Sequence, residues 1–144
     1  MTILDEIVSE TRATLESALD RDALAAGAAG DAPPTRSLIQ ALDAPGRFRV
    51  IAEFKRKSPS GGEIRPGSTP QEVVSAYESA GAAAISCLTN QTYFGGTLED
   101  LKAVKASVEI PVLRKDFVVD RRQLLEARGA GADAVLLIAE CLPG

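Results

Sequence analysis

Gly81-Ala82-Ala83-Ala84-Ile85-Ser86-Cys87-Leu88 reads as the end of a helix, a tight turn and a short apolar strand. A second stretch, Gly131-Ala132-Asp133-Ala134-Val135-Leu136-Leu137-Ile138, echoes it. In each, the glycine suits a helix C-terminus and the run after it suits a strand buried on both faces. Upstream of the first echo, Thr69 can cap a helix with Pro70 at its first position and Glu72 at its third, a near capping box. Val73, Val74, Tyr77 and Ala80 give that helix its apolar face, and Gly81 ends it. Between the echoes, Thr97–Ser107 reads as a helix with Leu98, Leu101 and Val104 on one face. Ile110–Leu113 reads as a third strand, Asp120–Ala130 as a third helix and Ala134–Ile138 as a fourth strand. The first strand lies in Phe48-Arg49-Val50-Ile51-Ala52-Glu53-Phe54, followed by a long Ser/Pro/Gly stretch from Ser58 to Pro70.

Alternating strands and helices with continuous apolar strands define an α/β chain built on a parallel sheet, either a (β/α)-barrel or a doubly wound fold. Short, right-handed connections predict strands neighbouring in sequence order, helices on one face, and the first and fourth strands as open edges. Ahead of the sheet, Thr2 to about Ala29 reads as a helix, with Ile3, Leu4, Ile7, Val8, Leu15 and Leu19 at helical spacing. Gly27, Gly30, Pro33 and Pro34 break the chain, and a short helix over Ser37–Leu42 stops near Pro45-Gly46. The expected division is a helical extension over residues 1–46 and a first half-barrel over 47–144. Gly129-Ala130-Gly131-Ala132-Asp133-Ala134 matches a dinucleotide-loop spacing but ends a helix and opens a strand, the reverse of what that loop requires.

Composition narrows the chemistry. The 144 residues carry 16 Lys and Arg against 20 Asp and Glu, a net charge of −4, which disfavours a nucleic-acid or polybasic membrane binder. There is no histidine, so Ser-His-Asp and Cys-His catalysis and histidine metal sites are excluded. Cys87 and Cys141 lie far apart without CxxC spacing and fit buried thiols of a reducing cytoplasm. The acidic N-terminus has no apolar region after it, so no signal peptide is expected. No apolar run approaches the ~20 residues of a membrane helix.

The candidate functional residues sit at carboxyl ends of strands, where α/β proteins place chemistry. Alternation puts Glu53 and Lys55 on one face with Ile51, while Ala52 and Phe54 face the other way. Two opposite charges on a buried face require pairing or use; a structural ion pair meets that requirement as well as a catalytic one. In Lys115-Asp116-Phe117, Lys115 shares a face with Leu113, which is expected to point into the core; a proton donor and a snorkelling lysine both fit there. Asn90-Gln91-Thr92-Tyr93-Phe94-Gly95-Gly96 sets an aromatic pair beside two glycines, suited to wall a flat ligand or to pack under the loop. Lys57-Ser58-Pro59-Ser60-Gly61-Gly62 could cradle an anion through backbone N–H groups, a weak signal alone.

Together these segments resemble indole-3-glycerol phosphate synthase, a (β/α)₈-barrel family. Ile51-Ala52-Glu53-Phe54-Lys55-Arg56-Lys57-Ser58-Pro59-Ser60-Gly61 is similar to its first-strand signature. Ile85-Ser86-Cys87-Leu88-Thr89 with Tyr93-Phe94-Gly95-Gly96 is similar to its second, and Pro111-Val112-Leu113-Arg114-Lys115-Asp116-Phe117 to its third. The run from Gly131 to Ile138 is similar to its fourth. The resemblance implies conversion of 1-(2-carboxyphenylamino)-1-deoxyribulose 5-phosphate to indole-3-glycerol phosphate, with loss of CO₂ and water, in tryptophan biosynthesis. It implies no metal or organic cofactor. It implies Lys115 as the general acid, Lys55 as a substrate-binding lysine that assists dehydration, and Glu53 as the group that orients and balances both. Ser58 would lie near the anthranilate carboxylate. Leu88, Phe94, Phe117, Leu136 and Ile138 would wall the aromatic ring.

A complete barrel of this kind takes ~250 residues. The resemblance therefore implies an N-terminal half, expected to be poorly active alone. The family's second-half glutamate, asparagine, arginine and serine, and its late phosphate-binding loops, have no counterpart. The expected partners are a phosphorylated small molecule and, through the open edges, other copies of the chain, with neither nucleic acid nor membrane. The alternatives are a non-catalytic half-barrel that associates with another half, or another phosphate-binding barrel such as phosphoribosylanthranilate isomerase. The Glu53/Lys55 and Lys115-Asp116-Phe117 motifs speak against the last.

Overall fold

A computed structural model describes residues 2–17, 32–46 and 48–142. Four strands, β1 (Ile51–Phe54), β4 (Ala84–Leu88), β5 (Val112–Lys115) and β6 (Ala134–Val135), form one parallel sheet in the order β1-β4-β5-β6. This is the order predicted, with β1 and β6 as the edges. Between them run α3 (Pro70–Ser79), the single turn α4 (Gln91–Phe94), α5 (Leu98–Ser107) and α6 (Arg122–Gly129). The predicted capping box is formed: Thr69 accepts from the Glu72 amide at 3.3 Å and Glu72 accepts from the Thr69 amide at 3.1 Å. The two echoes are structurally equivalent. Gly81 and Gly131 take φ of +95° and +91°, and the Ala83 and Asp133 amides bond the Val50 and Val112 carbonyls.

Register decides which residues share a face. Glu53 lies opposite Ser86, Ser86 opposite Leu113, and Leu88 opposite Lys115. Phe54 lies opposite Cys87 and Cys87 opposite Arg114 on the other face. The packed core belongs to that second face: Phe54, Ile85, Cys87 and Val112 meet Val74, Leu101, Val104 and Ala127 of the helices. Leu113 is therefore not in this core. It is half-buried on the inner face with Lys115, away from the helices, because alternation pairs Val112 and Arg114 with the helix side instead. Ile51, on the inner face of an edge strand, is exposed.

Several boundaries differ from the sequence reading. The first strand starts at Ile51 rather than Phe48, whose side chain is fully exposed. The third is shifted to Val112–Lys115, past Pro111, which has no N–H to give a ladder. The fourth is shortened to Ala134–Val135, although the Leu136 amide still bonds the Arg114 carbonyl at 3.2 Å; a 3₁₀ turn over Ala139–Cys141 follows. Ala80 is exposed and ends α3 rather than packing. The Ser/Pro/Gly stretch contains a two-residue antiparallel hairpin, β2 (Lys57–Ser58) with β3 (Gly62–Glu63), which was not anticipated.

The extension touches both ends of the sheet. Helix α1 (Ile3–Ser17) lies by the loops that follow the strands: Glu10 accepts from the Thr92 hydroxyl at 2.7 Å. The continuation of this helix toward Ala29 lies outside the described residues. The 33–36 segment instead reaches the loops that precede the strands, where the Arg36 amide donates to Asp133 at 2.6 Å and Arg128 donates to the Pro33 carbonyl at 2.7 Å. Helix α2 (Leu38–Asp43), capped by Ser37, lies against β4. Cys87 and Cys141 are free and buried; burial first, then the charge of Asp100, pushes the Cys87 thiol up to about 12, an unreactive thiol. Among the described residues no helix is long and apolar enough to cross a membrane.

Candidate active site

Glu53, Lys55 and Lys115 meet at the carboxyl end of the sheet. Lys115 Nζ donates to Glu53 Oε2 at 2.7 Å, and Lys55 Nζ lies 3.3 Å from Glu53 Oε1. One carboxylate is thus held between two ammonium groups, each on a different oxygen. All three side chains remain about one-third exposed, reachable by a ligand on the inner face. Burial alone would push the Glu53 carboxyl up; the hydrogen bond and charge of Lys115, joined by those of Lys55, outweigh it and hold the group below the ordinary glutamate range. The carboxylate form is therefore favoured across the neutral range.

An aromatic pair follows β4 and β5 in sequence. Phe94 closes α4, and its ring stacks on Phe117 with centroids 6.3 Å apart. Two glycines make that turn possible. Gly95 ends α4 at φ +65°, and Gly96 lies so close to β4 that a Cβ would meet the Leu88 carbonyl oxygen at 2.1 Å. Leu88 is buried opposite Lys115 on the inner face. Leu136 and Ile138 are half-buried beyond the short β6. Ser58 lies in the hairpin, where its hydroxyl accepts from the Gly61 amide at 3.0 Å. That bond shapes the turn, and Ser58 makes no bond to the three charged residues. The Lys57 stem lies against Gly95, so the hairpin leans on the turn that carries Phe94. A cavity of about 300 Å³ borders Glu53 and Lys55 and runs around the free edge of β1 to Val73 and Tyr77; it does not reach Lys115, Phe94 or Phe117.

Two supports went unrecognised in the sequence. Arg114, buried on the helix face behind Lys115, donates to Thr89 at 2.9 Å, Glu126 at 2.8 Å and Asp116 at 3.1 Å. Asp116 in turn accepts from the Phe117 amide at 2.9 Å, so the network sets the backbone between the lysine and the ring. An arginine alternating with Lys115 in an otherwise apolar strand is the signal that could have shown it. Arg56 forms a two-pronged pair with Asp100, at 2.8 and 2.6 Å, tying the end of β1 to α5.

This geometry suits proton transfer: an ammonium group held by a carboxylate and partly open to a ligand. The family model for indole-3-glycerol phosphate synthase matches residues 4–143. The chain is 49% identical over 146 residues to an indole-3-glycerol phosphate synthase of Rhodopirellula baltica, covering 99% of this chain and 56% of the relative. A protein of the same name from a Nocardioides species is 46% identical over 144 residues, covering 99% of this chain and 55% of the relative. One from Leptospira interrogans is 57% identical over 95 residues, covering 66% of this chain and 38% of the relative. The chain spans about half the length of the curated relatives it matches.

Proposed function

The chain belongs to the indole-3-glycerol phosphate synthase family, and from that premise we propose that it carries the proton-donating part of a ring-closing site. The reaction is conversion of 1-(2-carboxyphenylamino)-1-deoxyribulose 5-phosphate to indole-3-glycerol phosphate, with loss of CO₂ and water, in tryptophan biosynthesis and with the cytoplasm as its compartment. The observation that carries this reading is the Glu53 carboxylate held between Lys55 and Lys115 at the carboxyl ends of the strands. Lys115 gives its proton to the substrate carbonyl oxygen as the ring carbon attacks. Lys55 binds the substrate and serves proton transfer in dehydration, and Glu53 keeps both lysines in place. The Phe94–Phe117 pair, with Leu88, Leu136 and Ile138, holds the aromatic ring, and Ser58 lies toward the substrate carboxylate.

A chimaera tests this reading. This chain replaces the matched part of the Rhodopirellula baltica relative, and indole-glycerol fluorescence is followed. The chimaera is expected to turn over, and the 144-residue chain alone to show little or no ring closure. Among the described residues Lys115 meets one carboxylate, that of Glu53, and no phosphate anchor is built; positioning can account for ~7–11 kcal/mol of a barrier. A folded but inert chimaera would overturn the proposal.

A specific observation also favours association. Among the described residues, strands β1 and β6 each pair on one side only, and Phe48, Val50 and Leu137 beside them are exposed. Unpaired strand edges flanked by apolar side chains recruit further strands. The isolated chain is expected to self-associate in concentration-dependent light scattering; a monomer throughout the micromolar range would count against it.

A further inference from the structure

Among the described residues, the hydroxyl of Ser86 is the one buried side-chain polar atom without a hydrogen-bond partner. Such a group is destabilising, and alanine would fill the same space without the penalty, so its presence asks for a use. Ser86 is 4% exposed and stands at the centre of the inner face, between Glu53 on β1 and Leu113 on β5. Lys115 is in register with Leu88, one alternate step beyond Ser86. To reach Glu53 at 2.7 Å, the Lys115 side chain crosses β4, so the ion pair spans the strand face that carries Ser86.

We propose that Ser86 is a positioning residue for Glu53, whose hydroxyl takes over the Glu53 carboxylate when Lys115 turns to the substrate. The inference rests on the reading of Lys115 as the acid. A Lys115 side chain that swings from Glu53 Oε2 toward the substrate leaves the carboxylate with Lys55 alone, at 3.3 Å on the other oxygen. The freed carboxylate shifts toward Ser86, which it does not bond in this structure, and the Ser86 O–H donates to it. Glu53 keeps its charge, and Lys115 takes a proton from solvent water and returns to it. No covalent bond is made or broken by Ser86.

The test is a carboxyl-carbon NMR titration of Glu53 in the full chain, as wild type, Ser86→Ala, Lys115→Met and the double variant. The charged groups facing Glu53 are Lys55 and Lys115, and Lys55 is kept throughout. Lys115→Met alone mimics the departure of the acid and raises the Glu53 midpoint. Ser86→Ala is expected to leave the midpoint unchanged when Lys115 is present. In the Lys115→Met background it is expected to raise the midpoint by about half a pH unit, because a bond to the charged form is lost. A shift in neither background, or an equal shift in both, would overturn the proposal. A midpoint unmoved by Lys115→Met would remove the ion pair on which it stands. An inert chimaera, by contrast, would count against the ring-closing reading and leave this titration as it is.

Discussion

Lys115→Met in the chimaera is expected to lower kcat by a factor of ~10²–10⁴, the range that a positioned acid contributes, with a much smaller change in KM. The argument is geometric. Lys115 leaves β5 on the inner face, where its ammonium group is held at 2.7 Å by Glu53 and remains partly open to a ligand. Nothing else on β5 can replace it, since Arg114 points to the helices and is bound there by Thr89, Asp116 and Glu126. Lys115→Arg separates the two roles of the group. A guanidinium keeps the ion pair with Glu53 but does not release its proton, so this variant is expected to fold normally and to be as slow as Lys115→Met. Single-turnover fluorescence measures both. An arginine variant with roughly wild-type kcat would show that the charge alone is required, not the proton.

Asp133→Ala is expected to cost ~3–5 kcal/mol of folding stability, the usual result of stripping one partner from a buried pair. The Asp133 carboxylate is fully buried and binds Lys105 Nζ at 2.7 and 2.9 Å. It also accepts from the Arg36 amide at 2.6 Å and the Val112 amide at 2.8 Å. One side chain thus joins the extension, α5, β5 and the start of β6. Its loss leaves a buried ammonium group and two unpaired amides. That is a large share of the ~5–15 kcal/mol that stabilises a typical domain. Urea unfolding followed by circular dichroism measures it. The double variant Asp133→Ala with Lys105→Met is expected to recover part of the loss, because the stranded charge is gone. A single variant within about 1 kcal/mol of wild type would show that the site relaxes and admits water.

Much of the architecture was legible because each helix carries its own local signals. Thr69, Pro70 and Glu72 start α3 by side-chain chemistry within one turn, and Gly81 ends it by a backbone angle that other residues avoid. The hairpin at Lys57–Ser58 and Gly62–Glu63 was not legible, since two-residue strands carry no periodicity and are shaped by bonds such as that from Gly61 to Ser58. Leu113 lies outside the packed core, contrary to expectation, for a related reason. Period-two alternation says which residues share a face, but not which face the helices will cover.

The same division holds at the site. Alternation alone places Glu53 with Lys55, and Lys115 with Leu113, because a pleated strand sends neighbouring side chains to opposite sides. The resemblance of the motifs then named the three charged residues. That Glu53 and Lys115 share a bond across 62 residues depends on β4 lying between their strands in one register, and a slip of one residue would turn every inner group toward the helices. The buried, partnerless Ser86 hydroxyl and the Arg114 network behind Lys115 are likewise products of that register. Sequence determined the elements and the chemistry each strand end could offer, through interactions spanning a few residues. Tertiary structure decided which of those ends face one another, because strand register is set by the packing of helices against the sheet as a whole.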